Sequence, residues 1–582
     1  MSRFALISAV TLPLLWEDDA AAQRSLPPAG QAGRSVAIAS QGMVCSAHPL
    51  ATQIGLDVLK RGGNAVDAAI AVNAALGLME PMSCGIGGDL FAIVWDAKTQ
   101  RLYGLNASGR SPAAATREFF AQRQFKEIPE LGPLSWSVPG CVDGWHELLQ
   151  RFGTRNLAEL LQPSIDYAES GVPVPEIIAG YWRSSRRKLA ADEGSSKVYL
   201  IDGEVPRLGQ IFKNRALAET YRELARNGRD AFYRGRIAQQ LVEYSRKVGG
   251  LLSADDLAQH SSTWVDPVST EYRGVTVYEL PPNGQGIAVL QMLNILEGDP
   301  LAKYGPESAD YWHLFIEAKK LAYADRARHY ADPEFERVPV STLISKQYAE
   351  TRRRLIRMDQ AMTDVEPGDP KLGQADTTYL CVVDKDRNCV SLIQSNYHGF
   401  GSGNTPPELG FALQNRGTSF ALDERHPNRL EPRKRPFHTI IPAMALKNGK
   451  PWLVFGVMGG DMQPQGHVQI LVNLIDFKMN LQAAGEAPRI EHRGHPTPTG
   501  RPADGAGVVM AEPGIPDSVV NELRRRGHRV ERVRMNGGGY QAILIDPETG
   551  VLHGATEAPT DGVAAGSYPV AIPVEADTRG RG

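Results

Sequence analysis

The chain has 582 residues, long enough for several ordinary domains, and its 42% hydrophobic and 22% charged residues are typical of a globular protein. The formal net charge is -3 and no long run of like charges occurs. This balance argues against nucleic acid or an anionic membrane surface as the main partner. Beyond the N-terminus no segment reaches about 20 apolar residues, so no membrane span is expected.

Residues 1–36 are rich in Pro, Gly, Ala and Gln and are predicted to form a tail. Residues 1–22 have the layout of a signal peptide, although Glu17, Asp18 and Asp19 are unusual in one. The alternative is a mis-assigned start or a disordered tail. We favour a cytoplasmic location, and the periplasm or the cell exterior if residues 1–22 are a signal peptide.

The next segment is predicted to contain both strands and helices. A strand should run through residues 35–46, followed by a helix that Gly62 and Gly63 end. Asn64 should cap a second, Ala-rich helix. A Gly-rich turn then leads into strands at 90–96 and 101–108.

Residues 140–360 carry apolar residues mostly at helical spacing. Residues 361–376 contain Pro, Gly and acidic groups but few apolar residues, which predicts a flexible exposed loop. Short strands follow, with two further helices among them. Strands joined by hairpins, with helices before and after, indicate an α+β protein of packed antiparallel sheets covered by helices. The five cysteines include no CxxC pair and suggest buried apolar residues rather than a metal site.

Thr377 begins the first of these later strands. If the Asp376–Thr377 bond were cleaved, the new α-amine could take the proton of the Thr377 hydroxyl and make it a nucleophile. An ordinary strand start is the alternative, because threonine is β-branched and suits a pleated surface. The local sequence alone favours that alternative.

Two other features could serve the same chemistry. Gly459 and Gly460 follow an apolar strand, and two adjacent N–H groups could stabilise the oxyanion of a tetrahedral intermediate. Antiparallel counting across a hairpin places Ser395 opposite Thr377, where the two hydroxyls could hydrogen-bond. A tight turn and a surface serine are the alternatives.

Seven separate segments, taken together, resemble the γ-glutamyltransferase (glutathione hydrolase) family of N-terminal-nucleophile hydrolases, in the order of that family. The segments are GGNAVDAAIAV (62–72), GIGGDLF (85–91), LPPNGQGIAVLQMLNILEG (280–298), DTTYLCVVDKDRNCVS (376–391), KRPFHTIIPAM (434–444), GVMGGDMQPQ (456–465) and GATEAPTDGVAAGSY (554–568). The resemblance extends over about residues 37–570 and reverses the local preference at Thr377.

The resemblance implies an αββα sandwich, in which two stacked antiparallel sheets are covered by helices. It implies a proenzyme that cleaves itself into a large subunit, 37–376, and a small subunit, 377–582, which remain one intertwined domain. Thr377 would then attack an amide of a small molecule and pass the acyl group to water or an amine. Neither a cofactor nor a metal is expected.

The resemblance also assigns site residues. Gly459 and Gly460 match the oxyanion-hole glycines, and Ser395 matches a threonine whose hydroxyl contacts the nucleophile. The remaining cations, Arg110, Arg416 and His438, are candidates to bind a substrate carboxylate, because arginine matches the planar shape of that group. Each of these three residues could instead be structural.

Several positions depart from the γ-glutamyl pattern. Ser108 stands where an arginine holds the substrate α-carboxylate, and Ser419 stands where an acid holds the α-amine. His438 and Thr439 replace two serines, and Tyr397 replaces an asparagine beside the nucleophile. Loss of charge-assisted hydrogen bonds, at about 1.5–3 kcal/mol each, would weaken binding of a free amino-acid end.

The sequence therefore predicts an autoprocessing threonine hydrolase that cleaves an amide of a small carboxylate-bearing molecule, with transfer of the acyl group to an amine as a second outcome. Hydrolysis or transfer of a γ-glutamyl group is the activity that the family suggests first. The departures favour a short oxo-acid amide such as oxamate, or an acylated β-lactam. An unprocessed scaffold without catalysis is the alternative from another class.

Overall fold

The computed structural model describes residues 33–363, 365, 376–534, 538–557 and 560–568. Residues 1–22, the possible signal peptide, and most of the predicted loop at 361–376 lie outside the described residues. Within the described part, no helix combines the length and the apolar character that crossing a membrane requires.

The strands of the described residues are numbered in chain order. They are β1 (Ala37–Ala39), β2 (Gly42–Ser46), β3 (Asp89–Asp96), β4 (Arg101–Ala107), β5 (Val172–Pro173), β6 (Ile211–Phe212), β7 (Thr263–Val265), β8 (Val268–Tyr272), β9 (Val275–Glu279), β10 (Asp376–Val383), β11 (Cys389–Tyr397), β12 (Ala443–Lys447), β13 (Lys450–Val457), β14 (Ile490–Arg493), β15 (Val508–Ala511), β16 (Val530–Arg532), β17 (Tyr540–Ile545), β18 (Leu552–Thr556) and β19 (Val563–Ser567).

The helices are numbered in the same way. They are α1 (Pro49–Lys60), α2 (Ala65–Met79), α3 (Arg117–Gln122), α4 (Cys141–Phe152), α5 (Leu157–Ser170), α6 (Glu176–Ser184), α7 (Arg186–Ala190), α8 (Glu193–Tyr199), α9 (Arg215–Tyr233), α10 (Arg236–Val248), α11 (Ala254–Ala258), α12 (Gly286–Leu296), α13 (Leu301–Tyr304), α14 (Ala309–His329), α15 (Val340–Leu343), α16 (Lys346–Arg353), α17 (Met462–Ile475), α18 (Leu481–Glu486) and α19 (Asp517–Arg525), with short 3-10 helices at Pro133–Ser135 and Arg416–Ser419.

Two seven-stranded antiparallel sheets form the centre of the molecule. Sheet I has the order β1-β18-β17-β13-β12-β9-β8, and sheet II has the order β19-β2-β10-β11-β3-β4-β7. Apolar side chains that include Phe91, Tyr379, Met444, Val454 and Ile543 fill the space between the sheets. Since side chains alternate across a strand, the opposite faces of both sheets need a second cover.

Helices supply that cover and complete the αββα sandwich that the sequence predicted. On sheet II, α1, α2, α4, α5 and α9 bury one continuous apolar cluster. On sheet I, α12, α14 and α17 do the same. The helix α2 is buried on all sides, and its many alanines allow this close approach.

The start of α2 confirms the cap predicted at Asn64. The Asn64 side chain accepts hydrogen bonds from the N–H groups of Val66 and Asp67, both at 3.0 Å. The Asp67 carboxylate in turn accepts from the Asn64 N–H at 2.9 Å. This reciprocal pair satisfies N–H groups that the first helical turn leaves without partners.

The prediction of one strand through residues 35–46 is wrong. The chain turns at residues 40–41, so β1 joins sheet I while β2 joins sheet II. The strand β2 pairs with β10 on one side and with β19 on the other. Strands from before and after residue 376 are therefore hydrogen-bonded neighbours in sheet II.

The hairpin of β10 and β11 lies in the middle of sheet II. Its turn is held by Asp384, whose carboxylate accepts from the N–H groups of Asp386 and Asn388, both at 2.9 Å. The pairing is regular from Val383 opposite Cys389 to Thr378 opposite Gln394. A bulge then shifts the register by one residue, so that Asp376 pairs with Tyr397.

Candidate functional site

Thr377 lies in this bulge, near the start of β10. Its side-chain Oγ1 is 3.4 Å from the Oγ of Ser395, as the hairpin register predicted. Ser395 Oγ also accepts from the N–H of Tyr397 at 2.8 Å. Tyr397 has a φ of +79°, which turns the chain out of the strand immediately after it. Bulges often redirect side chains beside active sites, and this one separates Thr377 from regular pairing.

The nucleophile candidate belongs to an unbroken chain here. Asp376 and Thr377 are consecutive residues of β10, so the nitrogen of Thr377 is an amide and cannot act as a base. Thr377 is only 4% exposed. Use of the Thr377 nitrogen as a base would require cleavage of the bond between these two residues.

Gly459 and Gly460 form the turn between β13 and α17. Their φ values of +106° and +57° lie in the region that favours glycine. Their carbonyl groups accept from Met462 N at 2.9 Å and Gln463 N at 3.2 Å, which draws them toward the first turn of α17. Among the described residues neither glycine N–H has an acceptor. Two donors of this kind can stabilise an oxyanion.

Arg416 is a fully buried cation beside these groups. Its guanidinium donates to Thr439 Oγ1 at 2.9 Å and to Ser395 Oγ at 3.4 Å. It also stacks 3.9 Å above the centre of the Tyr397 ring. Burial lowers the pKa of Arg416 to about 10, so the group stays charged at neutral pH. Its Nε has no hydrogen-bond partner, and no described carboxylate forms an ion pair with it.

Gln285 connects Arg416 to the glycine turn. Its side-chain nitrogen donates to the carbonyl of Thr439 at 2.7 Å and to the carbonyl of Gly460 at 2.9 Å. A chain of contacts therefore runs from Thr377 through Ser395, Arg416 and Thr439 to the Gly459–Gly460 turn.

His438 does not supply the positive charge expected of it. Its Nε2 lies 3.0 Å from Asp89 Oδ2, and its Nδ1 accepts from Ile440 N at 3.4 Å. Burial lowers the pKa of His438 to about 4, because the protein interior disfavours the charged imidazolium, and the Arg416 charge acts in the same direction. Asp89 also accepts from two backbone N–H groups, at Gly109 and Gly140. His438 is therefore a neutral, oriented donor to Asp89.

Arg110 and Ser108 are occupied by structural partners. The Arg110 guanidinium lies 3.0 Å from Glu334 Oε1 and 3.8 Å from Asp332 Oδ2. Ser108 Oγ donates to Asn106 Oδ1 at 2.7 Å, and Asn283 Nδ2 donates to Ser108 Oγ at 3.2 Å. No described hydrogen bond joins Arg110 to the group around Arg416.

Ser419 ends the short 3-10 helix that begins at Arg416, and it is 1% exposed. This helix places an uncharged hydroxyl three residues after the buried guanidinium. The structure thus brings Thr377, Ser395, Tyr397, Arg416 and Thr439 together, with Ser419 on the same short helix as Arg416.

Two carboxylates near the site were missed by sequence reasoning. Asp461 follows Gly460 directly, and its oxygens accept from Arg326 Nη1 at 2.6 Å and from His495 Nε2 at 2.9 Å. Burial raises the pKa of Asp461, but Arg326 and His495 more than offset this and hold it well below its usual value. Asp89 is the other. The available signal was that both Asp89 and Asp461 directly follow a Gly-Gly pair.

One cluster has metal-ligand chemistry in the described part of the chain. The ligand atoms of His313, Glu317 and His528 lie within 4.8 Å of one another. These atoms already have partners: His313 Nδ1 is 2.8 Å from His528 Nε2, and Lys320 Nζ is 2.8 Å from Glu317 Oε1. Because the Lys320 ammonium would repel a cation, we assign no metal to this cluster.

Comparison with known proteins identifies the family. The model of the Gamma-glutamyltranspeptidase family matches residues 51–567. A glutathione hydrolase-like proenzyme, YwrD of Bacillus subtilis (strain 168), is 37% identical over 538 residues, which are 91% of this chain and 99% of that protein. The oxamate amidohydrolase proenzyme of Klebsiella pneumoniae is 34% identical over 540 residues, or 91% and 99% of the two chains.

Among solved structures, cephalosporin acylase from Bacillus halodurans superimposes with a TM-score of 0.86 and 42% identity, covering 94% of this chain and 99% of that one. Its likeness extends over both sheets and their helical covers, and the named relatives are hydrolases. The chain is therefore an enzyme of the γ-glutamyltranspeptidase family with the αββα fold of N-terminal-nucleophile hydrolases.

Proposed function

We propose that the chain activates itself by cleavage between Asp376 and Thr377. Thr377 Oγ1 attacks the carbonyl carbon of Asp376, the peptide C–N bond breaks, and an ester joins the two residues. Water hydrolyses this ester, which leaves a carboxylate on Asp376 and a free α-amine on Thr377. The closeness of Ser395 Oγ to Thr377 Oγ1 supports this step, since a hydroxyl can orient the attacking oxygen.

The freed α-amine then serves as the base for the substrate reaction. It takes the Oγ1 proton while Oγ1 attacks the substrate amide carbon. The negative oxygen of the tetrahedral intermediate faces the N–H groups of Gly459 and Gly460. The C–N bond breaks, the amine leaves with the proton, and an acyl ester remains on Thr377. Water, or a second amine, removes the acyl group.

The buried Arg416 supports a substrate whose acyl part ends in a carboxylate. An unpaired cation in a dry interior is costly, and a carboxylate that enters the site would supply the missing counter-charge. Ser419 provides no negative charge for a substrate α-amine. We therefore propose monoamides of dicarboxylic acids, with or without an amino group, as the substrate class.

Two of the named relatives support amide chemistry on a small molecule. An oxamate amidohydrolase and a cephalosporin acylase both cleave amides, and the departures at Ser108 and Ser419 favour these activities for this chain. Hydrolysis or transfer of γ-glutamyl groups is the alternative within the family, as the glutathione hydrolase-like relative suggests.

A denaturing gel tests the activation step. The purified wild-type chain should convert from one band into two, and the smaller fragment should begin Thr-Thr-Tyr-Leu by mass spectrometry. Thr377→Ala should remain a single band, because the attacking oxygen is absent. A single band for both proteins, without turnover of any amide, would support the uncleaved scaffold instead.

Two matched anilides test the substrate class. γ-Glutamyl and glutaryl p-nitroanilide differ only by the α-amine. If Ser419 leaves that amine without a partner, kcat/KM for the glutaryl compound should equal or exceed that for the γ-glutamyl compound. A preference for the γ-glutamyl anilide of more than about tenfold, or about 1.4 kcal/mol, would show specific recognition of the amine and contradict the proposal that Ser419 leaves it without a partner.

A further inference from the structure

Lys319 is buried behind the Gly459–Gly460 turn without a carboxylate partner. It lies on α14, is 0% exposed, and forms no ion pair with the described residues. Its Nζ lies 3.0 Å from His492 Nδ1 and 2.7 Å from His495 Nδ1. On the far side of each ring Nε2 faces an oxygen that can only accept, so each neutral imidazole carries its proton on Nε2 and accepts at Nδ1 from Lys319 Nζ.

These tautomers fit the partners on the other side of each ring. His492 Nε2 donates to the carbonyl of Ala506 at 2.9 Å. His495 Nε2 donates to Asp461 Oδ2 at 2.9 Å. The direction of the hydrogen bonds is thereby fixed from Lys319 through His495 to the Asp461 carboxylate.

Asp461 is held from its other side by Arg326. Arg326 Nη1 donates to Asp461 Oδ1 at 2.6 Å and also to the side-chain oxygen of Gln285. Gln285 in turn donates to the Gly460 carbonyl at 2.9 Å. The glycine turn is thus held both through the residue that follows it and through its own carbonyl group.

Helix capping does not explain Asp461. The residue occupies the N-cap position of α17, where an aspartate commonly accepts from backbone N–H groups. Its side chain makes no such bond and points to Arg326 and His495 instead. The buried group contains the Arg326 guanidinium, the Asp461 carboxylate and Lys319, whose pKa burial lowers well below its usual value.

We propose that Asp461, held between Arg326 and the His495–Lys319 pair, is a positioning residue that keeps the Gly459 and Gly460 N–H groups aimed at the oxyanion. This inference rests on the proposed function, in which those N–H groups stabilise the tetrahedral intermediate. Asp461 does not touch the substrate and acts through the turn.

Asp461→Asn provides the main test. The new side-chain amide has one acceptor atom and one donor atom, but Arg326 and His495 both offer donors. One donor pair must therefore clash and move the turn. Since removal of one oxyanion donor lowers kcat by about 10²–10³-fold, a displaced turn should lower kcat by roughly tenfold or more with little change in KM.

Asp476→Asn is the matched control. Asp476 is a buried carboxylate at the other end of α17, held by the Tyr272 hydroxyl at 2.7 Å and by Arg273 Nε at 2.7 Å. This variant should lose stability without a change in kcat. Rates are normalised to the amount of small fragment that begins at Thr377, because slower self-cleavage alone would also lower the apparent activity.

Adding Lys319→Met to Asp461→Asn distinguishes positioning from a general structural role. Without the Lys319 Nζ donor, His495 can move its proton to Nδ1 and accept from the new amide at Nε2. The double variant should therefore recover part of the kcat lost in Asp461→Asn. If both substitutions only damaged the structure, their separate losses of kcat would add in the double variant instead.

The outcomes separate this inference from the proposed function. If the wild-type chain cleaves itself and turns over an anilide while Asp461→Asn keeps its kcat, only the positioning role is wrong. A raised KM at constant kcat, or an equal loss of kcat in Asp476→Asn, also overturns it. If the wild-type chain neither cleaves itself nor turns over any amide, the proposed function fails first.

Discussion

Arg416 differs from the other cations considered for substrate binding because no described carboxylate pairs with it. Arg110 is paired with Glu334 and Asp332, and His438 is neutral beside Asp89. Arg416 has neutral hydrogen-bond partners and a tyrosine ring. Of these three residues, only Arg416 would therefore gain a counter-ion when an anionic substrate enters the site.

We expect Arg416→Gln to lower kcat/KM for glutaryl p-nitroanilide by roughly 10- to 100-fold more than for the uncharged valeryl anilide. The reason is loss of a charge-assisted hydrogen bond of about 1.5–3 kcal/mol that only the carboxylate makes. The ratio of the two kcat/KM values is the measurement, because any general damage affects both compounds.

Arg110→Gln is the control for that experiment. It removes an equal charge from the ion pairs with Glu334 and Asp332 and should leave the ratio unchanged. If Arg110→Gln lowers the ratio and Arg416→Gln does not, the assignment of the carboxylate site is reversed.

Residue types were easier to predict than their partners. Thr377 and Ser395 were found because a hairpin joins them, and hairpin register follows from local sequence. Arg110 was not resolved, because Glu334 and Asp332 lie more than 200 positions away in the sequence. Asp461 was missed because its partners come from α14 and the segment after β14. Contacts of that kind depend on packing that no local pattern encodes.

Gly88, in the turn before β3, lies very close to Ser395, the residue whose hydroxyl contacts Thr377. A Cβ on Gly88 would lie 2.3 Å from the carbonyl oxygen of Ser395 and 2.6 Å from Asn396 Oδ1. The Gly-rich turn that the sequence predicted before β3 therefore packs directly against the backbone of Ser395. Glycine is required here because β11 passes so closely.

We expect Gly88→Ala to destabilise the chain by about 1–3 kcal/mol and to slow self-cleavage, because the added methyl group must displace Ser395. Urea unfolding of the uncleaved Thr377→Ala background gives the stability, and a time course on a gel gives the cleavage rate.

Gly180→Ala serves as the comparison for the same substitution. Gly180 lies within α6, and its added Cβ would meet nothing within 4 Å. This variant should be neutral or more stable by up to about 1 kcal/mol, since alanine favours helix. Equal behaviour of the two variants would rule out a close approach at Gly88.

Element types were predicted better than their boundaries. The cap at Asn64 and the β10–β11 hairpin follow from adjacent residues, and both are present. The strand expected through 35–46 is two strands in different sheets, because the turn at 40–41 carries no strong local signal. The bulge at Thr377 also depends on tertiary packing rather than on hairpin counting.

Buried neutral histidines link the stability of the whole molecule to pH. Burial lowers the pKa of His48 and His438 to about 4 and that of His467 and His495 to about 3. The unfolded chain binds protons on these groups below about pH 6.5. As pH falls from 6.5 toward 4, the unfolded state therefore gains protons that the folded state does not bind, and stability is lost.

His48→Asn isolates one of these groups. His48 caps α1, and its Nδ1 accepts from Leu50 N at 3.2 Å, a role that asparagine can fill. Between about pH 6 and 4.5, the slope of unfolding free energy against pH should decrease by about 1.4 kcal/mol per unit. Urea titrations at several pH values measure it, and an unchanged slope would mean that His48 is protonated in the folded chain.

The two proposed fragments share both sheets. Residues before 376 supply β2, β3, β4 and β7 to sheet II, and residues after it supply β10, β11 and β19. We therefore expect the cleaved protein to unfold in one transition, because neither fragment keeps a complete sheet. Calorimetry of cleaved wild type and uncleaved Thr377→Ala tests this, and two separate transitions would show independent domains.

The position of β2 has a consequence for synthesis on the ribosome. This strand is among the first to be translated, yet its neighbours in sheet II are β10 and β19, and β19 is among the last. We expect sheet II to stay incomplete until β19 has been translated, which leaves apolar strands of the nascent chain exposed. We therefore expect the proposed cleavage at Thr377 to follow the synthesis of β19.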